Sequence, residues 1–339
     1  MQTARSIALE ALAFFDSNGY ISFKKVEMAI STLSSKDRAL CSNLIFETLR
    51  KRIRLDYELS KYLKKPSGLP NSVLNALRLG ALQLLFMDGI PPYAAIHSTV
   101  ELVGVNQFKR VANAVLRKVS DNGLSEDLPL NVEFSHPAWL VDYWREIEYI
   151  RDLEGLLDCN QSLPIETFEV SIDERELVEN GYLFERSEFS DLYVFFQKGM
   201  RLEGVQKWDE LEYILKGTGL HIIRYSGSST GRLNERPWLF HTLSIDQISL
   251  SGLEAERFLS QRAAEIEDKE FIYYSQALSR DENTQPVRSL TSSGRYRAVP
   301  LDGFLAEHGI EGVFDGYGYW LLPGSSPLAG YVCRLERRA

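Results

Sequence analysis

The chain has 339 residues, 44% of them apolar and 25% charged, which is the composition of a soluble globular protein with two or three domains. No run of eighteen apolar residues occurs, so we expect no membrane-spanning helix. The three cysteines are widely spaced, which argues against a disulfide framework or a zinc site and favours the cytoplasm.

The net charge of -9 is unevenly distributed along the chain. Residues 1–124 contain 17 Lys and Arg against 10 Asp and Glu, which gives a net charge of +7. Residues 125–339 contain 21 Lys and Arg against 37 Asp and Glu, which gives a net charge of -16. A basic first third is typical of a surface that binds a polyanion. Helical domains are also often rich in lysine without such a role, so charge alone leaves both interpretations open.

Residues 1–124 follow a helical period almost throughout. A capping pattern, Ser34 with Asp37 three residues later, opens one of the predicted helices. The stretch NSVLNALRLGALQLLFMD (71–88) is apolar and nearly uncharged, which predicts a helix at the centre of a bundle. Together these signals predict a compact all-α domain of six or seven helices.

The rest of the chain changes period. Residues 125–162 predict a linker with connecting helices, and helical patterns recur at 208–216 and 253–267. Strand patterns occur at 165–172, 192–196, 220–225, 270–275, 318–323 and 329–335. The predicted fold class is therefore α+β multidomain, an all-α bundle followed by a reduced α/β domain over residues 163–339.

Several segments of the first domain resemble the NusB-like RNA-binding domain found in the Sun/Fmu (RsmB) family of 16S rRNA cytosine-5 methyltransferases. They are LSSKDRAL (33–40), LIFETLRKRIRLD (44–56), VLNALRLGALQLLFMDGIPPYAAIHSTVELV (73–103), ANAVLRKVS (112–120) and SHPAWLV (135–141). The resemblance implies that this domain binds RNA, in particular rRNA. It also implies that the helices can bind a protein partner.

The second part of the chain resembles the catalytic domain of the same family, in the segments LHIIRYSGSSTGRLNERP (220–237), FIYYSQALSRDEN (271–283) and GYWLLPGSSPLAGYVCRLERR (318–338). The family's motif Asp-x-Pro-Cys-Ser-Gly-Thr-Gly puts Gly227 at its cysteine and Arg224 at its aspartate. The second cysteine motif puts the nucleophile at Ala277 or Gln276, depending on the register. The resemblance therefore predicts no catalytic residue.

Methylation of cytosine at carbon 5 needs a thiolate that attacks carbon 6 and a pocket for S-adenosylmethionine. About 50 residues separate Ile172 from Ser226, whereas three strands with their helices need roughly 90. We therefore expect no cofactor site, and S-adenosylmethionine only if the chain is an active enzyme. The missing half-sheet would leave strand 220–225 at an edge, which we expect residues 165–172 and 192–196 to cover.

The candidate RNA-binding residues are cations of the helical domain. Four of them lie within five residues at the joint between two helices, where their mutual repulsion would be relieved by a phosphate backbone. The full predicted set is Arg5, Lys36, Arg38, Arg50, Lys51, Arg52, Arg54, Arg117 and Lys118. The alternative interpretation is a solvated helix end whose cations interact with the helix dipole.

These patterns lead to three hypotheses. The first is a non-catalytic RNA-binding protein, related to the methyltransferases and acting in rRNA maturation or transcription. The second is an active rRNA cytosine-5 methyltransferase that uses S-adenosylmethionine. The third is a NusB-like module that binds proteins.

Overall fold

The computed structural model describes residues 2–162, 166–195, 205–226, 245–322 and 328–338. These residues form two compact units, of which the first reaches Val141 and the second begins at Asp142. The domain boundaries predicted at residues 124 and 162 stay predictions.

The first unit is helical, which confirms the predicted all-α region. Its helices are α1 (Ala4–Asn18), α2 (Phe23–Ile30), α3 (Ser35–Arg50), α4 (Arg52–Ser60), α5 (Asn71–Leu85), α6 (Pro92–Leu102), α7 (Asn106–Asn122) and α8 (Leu130–Glu133). A short 3-10 turn, Pro66–Gly68, connects α4 to α5.

Local signals in the sequence set several of these helix ends. The Ser34 hydroxyl accepts a hydrogen bond from the Asp37 amide at 3.2 Å, as the capping pattern predicts. Gly19 ends α1 with φ of 74°, a left-handed conformation that glycine adopts without steric cost. Pro92 is the first residue of α6, where its missing N–H has no intrahelical partner to lose.

Helix α5 lies at the centre of the helical core, as its apolar sequence predicts. Ala76, Leu77 and Leu79 are fully buried. At Gly80, an added Cβ would lie 2.8 Å from Leu116 of α7. The glycine therefore allows a close approach that any larger residue would prevent.

Within the described residues, the second unit combines helices with two sheets, so the fold class, a helical region followed by a mixed α/β region, is confirmed. Its helices, with the one that begins just before Asp142, are α9 (Ala138–Arg145), α10 (Leu153–Gln161), α11 (Glu174–Glu179), α12 (Glu210–Lys216), α13 (Ile245–Glu265), α14 (Thr284–Ser292) and α15 (Asp302–Glu307).

In the part of the chain that the structure describes, the first sheet has four strands, β1 (Thr167–Val170), β2 (Phe184–Arg186), β3 (Tyr193–Phe195) and β4 (Val205–Trp208). Their order is β2-β3-β1-β4, and each described pair is antiparallel. The prediction that residues 165–172 and 192–196 cover the edge of strand 220–225 is therefore wrong, because β1 and β3 pair with each other and with β4 and β2.

The second sheet has six strands among the described residues, β5 (His221–Tyr225), β6 (Glu270–Ser275), β7 (Tyr296–Val299), β8 (Val313–Phe314), β9 (Tyr319–Leu321) and β10 (Gly330–Arg337). Their order is β5-β6-β10-β9-β8, with β7 also paired to β10. Strands β5 and β6 are parallel, and the other described pairs are antiparallel. Within the described residues β5 lies at the edge of this sheet, as predicted.

Candidate functional site

Two cations of the α3–α4 joint are buried. Arg50 is 1% exposed and forms an ion pair with Glu47, and burial lowers the pKa of Arg50. Arg54 is 6% exposed, and its Nε lies 3.2 Å from Oε1 of Glu58. Neither guanidinium is accessible to a phosphate in this conformation.

Glu58 of α4 is 1% exposed and gathers several donors. Besides Arg54, the Lys61 ammonium and the Ser125 amide donate to its carboxylate, the amide at 3.0 Å. Burial by itself would raise the pKa of Glu58, but the hydrogen bonds from Lys61 and Ser125 outweigh it and lower this pKa. Arg54 and Glu58 are thus part of a network that attaches the segment around Ser125 to α4.

The other two joint cations are half-buried. The Arg52 guanidinium lies 2.7 Å from a carboxylate oxygen of Asp16 on α1. The Lys51 ammonium lies over the ring of Phe86, 5.0 Å from its centroid. The repulsion that the sequence suggests at this joint is therefore relieved within the unit itself.

The remaining predicted cations are exposed or half-buried. Lys36, Arg38, Arg117 and Lys118 are exposed. Within the part of the chain that the structure describes, the first three form no ion pair. The Lys118 ammonium lies 6.0 Å from the ring centroid of Tyr62.

Arg5 is half-buried at the start of α1. Its Nε donates to the Gln83 side chain at 2.8 Å, and burial lowers the pKa of Arg5 while nearby Asp37 partly offsets this shift. Arg5 thus interacts with Asp37, the residue between Lys36 and Arg38 in the first turn of α3.

The predicted cations are thus divided between separate places. Helix α3 has 16 residues and is therefore ~24 Å long. Lys36 in its first turn and Arg50 in its last turn cannot contact one phosphate together. Arg117 and Lys118 form a further group on α7.

A groove of about 200 Å³ lies between α1 and α2. We call it the α1–α2 groove, and it is lined by Ile7, Glu10, Ala11, Phe14, Ile21, Ser22, Lys25, Val26 and Ala29. The sequence pattern of α2 indicates no function for this helix. The amphipathic pattern of this short helix looks like that of any core-facing helix, so the pattern could not reveal a gap beneath it.

In the second unit, the carboxyl ends of the parallel strands β5 and β6 carry a polar cluster. Asp209 accepts hydrogen bonds from the Tyr274 hydroxyl at 2.8 Å, from the Gln276 amide and from Arg224 at 3.3 Å. Arg224 also donates to Glu212 at 2.6 Å and to the Gln276 oxygen at 3.2 Å. Both Arg224 and Gln276, which stand at predicted motif positions, are therefore engaged inside the protein.

The alternative nucleophile position, Ala277, is fully buried. Its amide donates to the Ser275 hydroxyl at 3.1 Å, and its carbonyl accepts from the Asn283 side chain at 2.9 Å. Gly227, the first motif position, lies outside the described residues.

None of the chain's three cysteines has an activated thiol. Burial raises the pKa of Cys41 to about 11 and that of Cys333 well above its ordinary value. For Cys159, burial and the neighbouring Asp158 carboxylate both raise the pKa. A raised thiol pKa leaves little thiolate at neutral pH.

The described residues contain neither a cluster of metal ligands nor a membrane-spanning helix. Among them, no group of three or more His, Cys, Asp or Glu side chains is arranged to hold a metal ion. No helix of the described chain is both long enough and apolar enough to span a membrane.

Comparison with known proteins supports the two-part organisation. Residues 2–121 match the NusB family. The probable ribosomal RNA small subunit methyltransferase B of Bacillus subtilis is 31% identical over 236 residues, which cover 66% of this chain and 50% of that protein. The ribosomal RNA small subunit methyltransferase B of Thermus thermophilus is 30% identical over 56% of this chain and 48% of its own length. The match thus spans about half the length of each relative.

A solved structure reproduces the fold. The crystal structure of PH0851 has 13% sequence identity to this chain and matches 99% of both chains with a TM-score of 0.72. This TM-score shows a shared fold. Taken together, the chain contains a NusB-family domain at residues 2–121 and is homologous to the ribosomal RNA small subunit methyltransferases B.

Proposed function

We propose that this protein binds RNA, in particular rRNA, through exposed cations of its helical unit, and that it has no methyltransferase activity. It acts in rRNA maturation or in transcription. The observation that carries the RNA-binding part is the exposure of Lys36, Arg38, Arg117 and Lys118 in a domain of the NusB family. Exposed Lys and Arg side chains neutralise phosphates and release counterions, which supplies sequence-independent affinity.

The non-catalytic part rests on the residues at the motif positions. Gln276 and Ala277 have no thiol, and the Gln276 amide is hydrogen-bonded to Asp209. The thiols of Cys41, Cys159 and Cys333 all have raised pKa values. A cytosine ring needs a thiolate at carbon 6, and no described side chain supplies one.

The RNA-binding part is tested by fluorescence anisotropy with fragments of small-subunit rRNA at several salt concentrations. In the variant Lys36→Ala/Arg38→Ala/Arg117→Ala/Lys118→Ala, we expect the slope of log affinity against log salt to fall by about 3, since each lost contact removes ~0.7–0.9. A matched control removes four exposed arginines of the acidic unit, Arg257, Arg262, Arg288 and Arg295. Equal effects of the two variants would contradict the proposal.

An active methyltransferase is the second candidate, and the homology to the ribosomal RNA small subunit methyltransferases B favours it. Isothermal titration with S-adenosylmethionine separates the two candidates. We expect no binding at micromolar concentration. Micromolar binding, followed by methyl transfer to rRNA, would support the enzyme instead.

A further inference from the structure

We propose that α7 and the α4–α5 connection (residues 61–70) form one basic surface that binds the phosphate backbone of RNA. We call it the α7 surface, and its cations are Lys64, Lys65, Arg110, Arg117 and Lys118. This inference rests on the proposed RNA binding by the helical unit. It deepens that proposal, because it joins Arg117 and Lys118 to three cations that no sequence motif indicates.

Positive charge dominates the two segments that form the α7 surface. Residues 61–65 include three lysines, and residues 106–120 include four lysines and arginines, without an Asp or a Glu in either range. The carboxylates that follow are Asp121 at the end of α7, and Glu126 and Asp127 further along the chain. A partner with regularly spaced negative charges therefore fits the two segments.

Five of these seven cations are available to such a partner. Lys61 is bound by the buried Glu58, and the Lys109 ammonium lies 3.4 Å from a carboxylate oxygen of Glu101. The other five are exposed, and in the described ranges of the chain none of them forms an ion pair. They differ in this respect from Arg50 of the α3–α4 joint, which the fold itself neutralises.

The fold brings the two segments side by side. Arg110 and Arg117 are seven residues apart on α7, so they lie on one face of the helix, ~10.5 Å apart along its axis. The Lys118 ammonium lies 6.0 Å from the ring centroid of Tyr62 in the α4–α5 connection. Because Tyr62 precedes Lys64 by two residues, the lysines of the connection continue the row of cations on α7.

The other side chains of α7 favour RNA over a membrane or an acidic protein. A helix that binds a membrane surface needs apolar residues beside its cations, and a protein interface has aromatic and apolar residues at its centre. The apolar face of α7 is buried in the core of the unit, and in this fully described helix Val111, at 37%, is the one large apolar residue that is exposed. Asn106 and Gln107 are also exposed, and amide side chains bind phosphate and sugar oxygens.

The lysines of the connection provide the first test. Fluorescence anisotropy measures binding of the full chain to a single-stranded fragment of small-subunit rRNA at several salt concentrations. We expect Lys64→Ala/Lys65→Ala to reduce the slope of log affinity against log salt by about 1.4, since each single-strand phosphate contact contributes ~0.7. The matched control, Lys24→Ala/Lys25→Ala, removes two exposed lysines of α2 and should leave the slope unchanged. Equal slopes for the two variants would overturn the inference.

Arg110 tests whether α7 and the connection contact the same RNA. We expect Arg110→Ala to reduce the slope by about 0.7 and Arg110→Lys, which keeps the charge, to restore it. The triple variant Lys64→Ala/Lys65→Ala/Arg110→Ala should lose about 2.1, the sum of the separate losses. Thermal melting establishes that each variant folds. A slope that Arg110→Lys does not restore would show that charge at this position is not what binds the RNA.

The outcomes separate this inference from the proposed function. If the variants at Lys64, Lys65 and Arg110 bind RNA like the parent chain while Lys36→Ala/Arg38→Ala/Arg117→Ala/Lys118→Ala weakens binding, the α7 surface fails and the RNA-binding function stands. If the same three positions affect only binding to vesicles that contain phosphatidylserine, the surface binds a membrane and the inference is wrong. If the parent chain does not bind RNA, both proposals fail.

Discussion

The two ends of α3 carry similar cations in opposite surroundings. Lys36 and Arg38 at its start are exposed, whereas Arg50 at its end is buried against Glu47. Arg54, a few residues further on, is buried against Glu58. A dense cluster of cations in a sequence therefore need not form a surface that binds a polyanion. Its charges can be neutralised by carboxylates of the same fold, while isolated cations elsewhere remain available.

Breaking a buried ion pair should lower the stability of the protein most. Arg54→Ala leaves the Glu58 carboxylate in the interior with fewer donors, so we expect the free energy of unfolding to fall by about 3 kcal/mol. Urea denaturation measures this change. The RNA affinity of the folded variant should equal that of the parent chain. A large loss of affinity without loss of stability would show that Arg54 binds RNA and does not stabilise the fold.

Acid should weaken the same network. Because the pKa of Glu58 is lowered in the folded state, its contribution is fully present above the ordinary value of 4.5 and is lost as the pH falls through the folded pKa. Glu58→Gln removes this titration. We therefore expect the variant's stability to depend less on pH below 4.5 than the parent's, as followed by urea midpoints. Parallel curves would contradict this role of Glu58.

Arg52 is an intermediate case. Its side chain is 21% exposed and that of its partner Asp16 is 9% exposed. We expect Arg52→Ala to lower the free energy of unfolding by about 1 kcal/mol, since partly solvated ion pairs contribute little. A loss as large as that of Arg54→Ala would place Arg52 with the buried cations.

The smallest effect on stability belongs to the exposed cations. Lys36→Ala/Arg38→Ala should change the free energy of unfolding by less than about 0.5 kcal/mol, because neither side chain packs against the core. The same double variant should weaken RNA binding measurably in anisotropy. A stable variant with unchanged affinity would remove the start of α3 from the RNA surface.

The sequence predicts the regular elements well where burial follows a clear period. The apolar stretch of α5 and the strand β6, observed at the predicted residues 270–275, are examples. It fails for the four-stranded sheet, because β2 (Phe184–Arg186) and β4 (Val205–Trp208) are short and carry polar residues on alternate sides. The predicted strand 192–196 contains β3, but without visible strands at β2 and β4 nothing in the sequence indicates that β1 and β3 form a sheet separate from β5.

The candidate site was harder to predict for a related reason. The partner of Arg52 is Asp16, from a different helix, and no local pattern connects residues so far apart in the chain. The α1–α2 groove is likewise a property of how two helices pack. Residue type and spacing identify which side chains could bind RNA, whereas exposure and pairing decide which of them are free to do so.

The polar cluster at the ends of β5 and β6 disfavours the binding of a ligand there. Asp209 already accepts from Tyr274, Gln276 and Arg224. A guest that took one of these bonds would have to displace a protein donor, so the exchange would bring no net gain in hydrogen bonds. The donors of the cluster therefore compete with any ligand for the Asp209 carboxylate. A substitution that removed Arg224 would leave Asp209 with a free acceptor position for a ligand.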